Sequence, residues 1–231
     1  MKSPSELLVQ LDAGGPVTAL VYGARDPRHS ALILAHGAGS GQHSPFMVGF
    51  ANALAALGVE TITFNFPYTE RKRRLPDRRP VLEACYRAVI DAVSVAVVSD
   101  GRPLFIGGKS MGGRIATQVA AADPERPIAG LVLLGYPLHP PGRPAERRDS
   151  HLPAVGRPML FIQGSRDAFG TPAELMRALA PLAPPATLHV VAGGDHSFKV
   201  SKAGDQAAVY ADVQRTIAAW VHGVGRPLLS Q

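Results

Sequence analysis

The chain has 231 residues, 46% of them hydrophobic, and this length predicts one domain over residues 1–231. Cys85 is the only cysteine, which excludes an internal disulfide and favours a reducing, cytoplasmic compartment. The net charge is +6, but aromatic residues make up only 6% and no nucleic-acid-binding motif occurs, so we expect no nucleic-acid partner. No uncharged apolar run of about 18 residues is present, so we expect no membrane span.

Strand-like and helix-like periodicities alternate along the chain, which is typical of a mostly parallel sheet with helices on both faces. The first two segments, Glu6–Asp12 and Val17–Tyr22, are separated by two glycines and a proline, and they predict an antiparallel hairpin at the sheet edge. Parallel strands are then predicted at Ala31–Ala35, Glu60–Asn65, Leu104–Gly107, Ile128–Leu134, Met159–Ile162 and Leu188–Val191. Helices are predicted at Phe46–Leu57, Val81–Val98, Gly113–Ala122, Ala173–Leu182 and Gln206–Val221.

A serine between two glycines follows the strand predicted at Leu104–Gly107. The segment is Gly108-Lys109-Ser110-Met111-Gly112, and a helix-patterned stretch comes after it. Such a serine can occupy the strained strand-to-helix turn that lifts its hydroxyl above a sheet. Glycine is needed on either side because a Cβ there would collide with the neighbouring strand or helix. Ser110 is therefore the candidate nucleophile.

Two later strands each deliver a titratable side chain at their carboxyl ends. Asp167 follows the strand predicted at Met159–Ile162, and His196 follows the next strand. The carboxyl ends of parallel strands share one edge of the sheet, so we expect both side chains to meet Ser110 there. An imidazole can take the serine proton and return it to the leaving group, and a carboxylate can orient the imidazole. Asp195 is the alternative carboxylate, although an immediate neighbour of His196 normally points away from it.

A glycine-rich turn after the first parallel strand, His36-Gly37-Ala38-Gly39-Ser40-Gly41, completes the predicted site. Such a turn can aim backbone N–H groups at an oxygen that becomes negative during acyl transfer. We expect one donor of this oxyanion hole to be the N–H of Met111, which begins the helix after Ser110, and, by analogy with other His-Gly-x loops, the second to be the N–H of Ala38. His36 is expected to support the turn.

Five segments together resemble a known superfamily: His36-Gly37-Ala38-Gly39, Phe64-Asn65-Phe66-Pro67-Tyr68, Gly107-Gly108-Lys109-Ser110-Met111-Gly112-Gly113-Arg114, Gly164-Ser165-Arg166-Asp167 and Gly194-Asp195-His196-Ser197-Phe198-Lys199. The chain resembles an alpha/beta hydrolase over essentially its whole length. Within that superfamily it is most similar to a small branch related to dienelactone hydrolases, which includes hydrolase-like domains of a testis-expressed protein and of a chromatin-complex subunit. Dienelactone hydrolases have a cysteine where this chain has Ser110, so their particular substrate does not transfer.

This resemblance implies an α/β fold and a serine hydrolase that cleaves a small-molecule carboxylic ester or thioester through an acyl-enzyme, without a metal or an organic cofactor. The segment Pro140–Arg157 contains four prolines, so it cannot easily form the helical lid of lipid-acting relatives, and we expect an open site. The alternative function is a non-catalytic binding or scaffold module that keeps the fold, as the chromatin-associated relatives suggest. Other acyl-transfer chemistries and the oligomeric state stay open.

Residues near the rim are candidates for substrate contact. Gly39, Asn65 and Tyr68 lie at or just after the carboxyl ends of strands. Lys109 is expected to support the turn structurally, rather than to form a serine–lysine dyad.

Basic clusters at residues 71–79 and 143–148 also follow strand ends. They are interpreted either as solvated loop surface or as a field that attracts an anionic ester. The sequence leaves both interpretations open.

Overall fold

The computed structural model describes residues 3–24, 30–98, 101–202 and 204–225. The strands are β1 (Ser5–Val9), β2 (Val17–Tyr22), β3 (Ala31–Ala35), β4 (Glu60–Phe64), β5 (Leu104–Lys109), β6 (Gly130–Leu134), β7 (Met159–Gly164) and β8 (Thr187–Val191). The helices are α1 (Pro45–Ala56), α2 (Pro67–Glu70), α3 (Arg79–Ala96), α4 (Met111–Ala122), α5 (Pro172–Leu179) and α6 (Gln206–Val224), with a 3-10 turn at Leu152–Val155. Each predicted strand and helix overlaps one of these elements, whereas α2 and the 3-10 turn were not predicted.

The strands form one mostly parallel sheet in the order β1-β2-β4-β3-β5-β6-β7-β8. The first two strands make the predicted antiparallel hairpin, with Ser5 opposite Val21 and Val9 opposite Val17. Strand β2 also pairs antiparallel with β4, and every pair from β4 to β8 is parallel. The carboxyl ends of β3, β5, β7 and β8 therefore face the same edge of the sheet.

Alternate residues of the central strands supply a core on each face of the sheet, as the two-residue period of a strand requires. On β5, Ile106 packs into one core and Phe105 into the other. The first core is covered by α3, α4 and α5, and the second by α1 and α6. Cys85 of α3 is buried in the first core. In the part of the chain that the structure describes, no helix combines the length and apolar character that a membrane crossing requires.

The element boundaries around Ser110 differ from the prediction. Strand β5 continues to Lys109, because Gly108 pairs with Ala35 and Lys109 pairs with Leu134. Helix α4 already begins at Met111. Ser110 is therefore the single residue between strand and helix, and the turn that presents it is tighter than the hydrophobic pattern indicated.

The connection between β6 and β7 carries no large lid. Residues 135–158 form turns and the 3-10 helix Leu152–Val155, and no α-helix occurs in this fully described segment. This agrees with the expectation from its prolines.

Candidate active site

Ser110 lies in a strained turn at the carboxyl end of β5. Its backbone angles are φ 52° and ψ −113°, outside the regions that residues other than glycine usually adopt. Its N–H donates a hydrogen bond to the carbonyl of Leu134 at 2.9 Å, which ties the turn to β6. A Cβ placed on Gly108 would lie 2.5 Å from the Ala35 carbonyl oxygen, and one on Gly112 would lie 2.4 Å from it. The two glycines thus allow β5 and α4 to approach β3 closely enough to form the turn.

The structure brings Ser110, His196 and Asp167 together through two hydrogen bonds. The Oγ of Ser110 lies 2.9 Å from Nε2 of His196, and Nδ1 of His196 lies 2.8 Å from Oδ2 of Asp167. The Asp167 side chain is fully buried, whereas that of His196 is 22% exposed. Because Asp167 accepts at Nδ1, the Nε2 atom of a neutral imidazole is unprotonated and can accept a proton from the serine hydroxyl. The ring of Phe169 stacks on the imidazole with the ring centres 4.2 Å apart.

Gln163, which sequence reasoning missed, fixes the position of Asp167. Its Nε2 donates to Oδ2 of Asp167 at 2.9 Å and to the Gly170 carbonyl at 2.8 Å, and its Oε1 accepts from the Tyr136 N–H at 2.9 Å. The N–H of Phe169 donates to the second carboxylate oxygen at 2.8 Å. A polar residue at the end of the apolar strand β7 was the signal that could have identified Gln163, because a buried amide needs partners.

Asp195, the alternative carboxylate, has a different role. Its Oδ1 accepts from the N–H groups of Ser197 and Lys199 at 2.7 and 2.9 Å. These bonds close the turn that carries His196. Asp195 therefore shapes the backbone of the turn, while Asp167 contacts the imidazole.

Replacement of the two aspartates separates these roles. We expect Asp167→Asn to lower kcat by about 10³- to 10⁴-fold, because an amide can donate to His196 and favour the wrong tautomer. Asp195→Asn keeps an acceptor oxygen for the turn and is expected to change kcat by less than about threefold. Steady-state kinetics with one p-nitrophenyl ester measures both, and equal losses in the two variants would contradict this assignment.

Lys109 supports the turn of His196, in agreement with the expectation of a structural role. Its buried Nζ donates to the carbonyl oxygen of His196 at 2.5 Å and lies 5.9 Å from the centre of the Phe198 ring. Burial lowers the pKa of Lys109 to about 8, against the opposing effect of Asp167 and Asp195. The side chain that precedes Ser110 thus holds the backbone of the residue that contacts Ser110.

The lowered pKa of Lys109 predicts how stability varies with pH. The ordinary value is 10.5, so between about pH 8 and 10.5 the unfolded chain binds more protons at this residue than the folded chain does. The free energy of unfolding of the native protein, relative to that of Lys109→Met, should therefore rise with pH across this range and be flat below it. Urea unfolding of both proteins at several pH values from 7 to 10 measures the difference, and a difference that falls with rising pH would refute the expectation.

The predicted oxyanion donors, Ala38 and Met111, both line the cavity that contains Ser110. Met111 is the first residue of α4, and the first N–H groups of a helix have no acceptor within it. The turn that carries Ala38 is held by His36, whose Nε2 accepts from the Phe66 N–H at 3.3 Å while Nδ1 donates to the Gly37 carbonyl at 2.8 Å. Burial lowers the pKa of His36, despite the opposing effect of the bond to Gly37, and so favours the neutral ring.

The three candidate rim residues do not line this cavity. Asn65 is 8% exposed, and its Oδ1 accepts from the Gln42 N–H at 2.9 Å, so the side chain braces the glycine-rich turn. Tyr68 is buried and packs edge-on against His36 with ring centres 5.9 Å apart. Gly39 has a positive φ of 70° in the turn beside Ala38. The structure therefore places these residues as supports of the turn, and their contact with substrate stays a prediction.

The cavity has a volume of about 500 Å³ and lies at the carboxyl edge of the sheet. Ser110 and His196 open into it, and Phe46, Met47 and Phe169 supply apolar wall. Across the described residues, no cluster of three or more histidine, cysteine, aspartate or glutamate side chains is placed to hold a metal ion. The arrangement supplies a hydroxyl, a base and an apolar recess for a small organic molecule.

A sheet of this order with a serine at such a turn defines the alpha/beta hydrolases. A model of the alpha/beta hydrolase domain family matches residues 28–222, and the chain belongs to this family. Dienelactone hydrolase from Anabaena variabilis superposes with a TM-score of 0.73 and 24% identity, over 97% of this chain and 100% of that one. A serine hydrolase without a lid from Xanthomonas campestris superposes with a TM-score of 0.71 and 20% identity, over 95% of this chain and 96% of that one. These similarities confirm the lidless fold that the sequence predicted.

Two curated relatives come from strains of Mycobacterium tuberculosis, and each is named "Putative phosphoribosyl transferase". Each is 32% identical to this chain over 207 residues. The match covers 88% of this chain and 44% of each relative, so the chain spans less than half their length.

Proposed function

We propose that this alpha/beta hydrolase is a serine hydrolase that cleaves a carboxylic ester or thioester through an acyl-enzyme. The observation that carries the proposal is the unbroken pair of hydrogen bonds from Ser110 through His196 to buried Asp167. A serine hydroxyl is a weak nucleophile by itself, and an adjacent oriented base is what activates it.

In the first half of the reaction, Oγ of Ser110 attacks the substrate carbonyl carbon while Nε2 of His196 accepts the hydroxyl proton. Asp167 stabilises the imidazolium that forms. The carbonyl oxygen becomes negative and is received by the N–H groups of Met111 and Ala38, each such contact contributing about 3 kcal/mol to the transition state. Collapse of the tetrahedral intermediate breaks the bond to the alcohol or thiol, which leaves with the proton from His196.

In the second half, water takes the place of the departed alcohol or thiol. His196 accepts a proton from the water as its oxygen attacks the acyl carbon, and the same N–H groups receive the second oxyanion. The bond to Oγ then breaks, Ser110 regains its proton from His196, and the carboxylic acid leaves. Apart from the substrate and water, these steps use only the residues described.

A fluorophosphonate probe tests the proposal directly, because it forms a phosphorus–oxygen bond with an activated serine and releases fluoride. We expect the purified protein to be labelled and Ser110→Ala to remain unlabelled. Absence of labelling in a protein that circular dichroism shows to be folded would contradict the proposal and favour the non-catalytic binding module. A panel of acyl p-nitrophenyl esters and thioesters would then define chain length and leaving group.

A further inference from the structure

Three arginines from separate segments converge on the cavity of Ser110. Arg79 begins α3, Arg114 lies in α4 one turn after Ser110, and Arg148 lies in the connection between β6 and β7. The same three side chains also line an adjoining cavity of about 450 Å³, together with His151. They therefore stand at the junction of two recesses, one of which holds the candidate nucleophile.

The guanidinium groups are close enough to affect one another. Burial lowers the pKa of Arg114, and the positive charges of Arg148 and Arg79 lower it further. The pKa of His151 is lowered by burial and then by Arg114 and Arg79. Like charges held together at a cavity wall repel each other, and an anion placed between them would relieve this repulsion.

Carboxylates of the protein leave this charge largely uncompensated. Arg79 pairs with Glu83 at 3.2 Å, but within the described ranges neither Arg114 nor Arg148 forms an ion pair with a carboxylate. Nε of Arg114 is buried and has no hydrogen-bond partner. In the wall of the catalytic cavity, Asp77 pairs with Arg73 through Oδ1 at 2.5 Å, while its Oδ2 is buried without a hydrogen-bond partner.

We propose that Arg79, Arg114 and Arg148 bind an anionic group of the substrate, a carboxylate or a phosphate, while its ester or thioester carbonyl lies at Ser110. This inference rests on the proposed hydrolase function. A guanidinium matches a carboxylate or phosphate with two parallel hydrogen bonds, and among the described residues no carboxylate occupies the fork of Arg114 or Arg148. Arg114 lies four residues after Ser110, so the two backbone positions are about 6 Å apart along the helix axis, and both residues line the same cavity.

The structure also shows that only some members of the two basic clusters face the cavity. Arg148 faces the cavity, whereas Arg143 is exposed and pairs with Glu146 at 3.0 Å. The guanidinium of Arg71 donates to the backbone carbonyl of Gly14, on the hairpin side. Only part of each cluster is thus available to a substrate, and Arg114 adds a cation that the sequence clusters did not include.

Matched ester pairs test the inference. One pair carries the charge in the acyl group, as the mono-p-nitrophenyl ester of glutaric acid against that of neutral glutaramic acid. A second pair carries it in the leaving group, as acetylated 4-hydroxybenzoate against acetylated 4-hydroxybenzamide. We expect kcat/KM to favour the anionic member of at least one pair by about tenfold or more. A 4-phosphonobutanoyl ester in the first series distinguishes a phosphate-type from a carboxylate-type ligand.

The variants are Arg114→Gln and Arg148→Gln, with Arg143→Gln as the control that removes the same charge outside the cavity. In each cavity variant the anionic preference should fall to less than about threefold, and in the control it should persist. The ratio is measured within one protein, so a general loss of folding or activity does not alter it. If native protein is labelled by the fluorophosphonate but hydrolyses both members of every pair equally, this inference is overturned and the proposed function stands. If folded protein is neither labelled nor active, both are overturned.

Discussion

Ser110→Ala is expected to lower kcat for any ester substrate by about 10⁴-fold or more, and His196→Ala by a similar factor. The two side chains act as one unit across the 2.9 Å hydrogen bond, so either loss removes the activated nucleophile. The double variant should therefore be almost as active as either single variant, and far more active than independent effects would allow. Steady-state and single-turnover kinetics with one activated ester measure all three proteins.

His43→Ala provides the control, because His43 is exposed in the loop before α1. We expect its kcat to stay within about twofold of the native value. If His196→Ala retained most of the activity while Ser110→Ala did not, another base would be acting on Ser110. If the fold-losses in kcat of the two single variants multiplied in the double variant, that result would likewise contradict a coupled pair.

The three residues joined by the two hydrogen bonds at Ser110 could be predicted, because each has a local sequence signal. Ser110 is flanked by glycines, and Asp167 and His196 follow apolar strands. The parallel sheet then brings strand ends together regardless of their separation along the chain. The fold and the site could be predicted from the same feature. The alternation of strands and helices predicts a parallel sheet, and in such a sheet the carboxyl ends of the strands lie at one edge.

The supporting contacts could not be predicted in the same way. The bond from Lys109 to His196 joins residues 87 positions apart, and its direction depends on the conformation of a tight turn. Arg114 belongs to a family motif in the sequence, but its position beside Arg148 in the cavity wall became evident only from the structure. Such contacts are determined by side-chain packing across the fold, to which periodicity and spacing are insensitive.

The supporting contacts of Asn65 and Tyr68 also depend on packing that the sequence pattern does not determine. Both follow the strand β4, whose carboxyl end does lie at the edge of the sheet that holds the site. The glycine-rich turn after β3 lies between them and the cavity, however, and takes their polar and aromatic groups as supports. A strand end predicts the correct edge of the sheet but does not determine which side chains reach the ligand.

Gly112→Ala is expected to lower the free energy of unfolding by about 3 kcal/mol or more. An added Cβ would lie 2.4 Å from the carbonyl oxygen of Ala35 and 2.7 Å from that of His36. Both are backbone atoms, so no side-chain rotation can relieve the overlap and α4 must move away from β3. That movement would also separate Met111 from the turn of Ala38, so fluorophosphonate labelling of the folded fraction should slow. Urea unfolding and labelling rates measure the two effects.

Gly49→Ala is the matched control, because it adds the same methyl group where the structure has room for it. Gly49 is an exposed residue of α1, and a Cβ there would have no neighbour within 4 Å. Alanine has a higher helix propensity than glycine, so this variant should be more stable by about 0.5 to 1 kcal/mol and be labelled at the native rate. Opposite signs for two identical changes would tie the Gly112 effect to the contact with Ala35. A Gly112→Ala protein as stable and as reactive as the native one would show instead that the turn around Ser110 does not depend on this close approach.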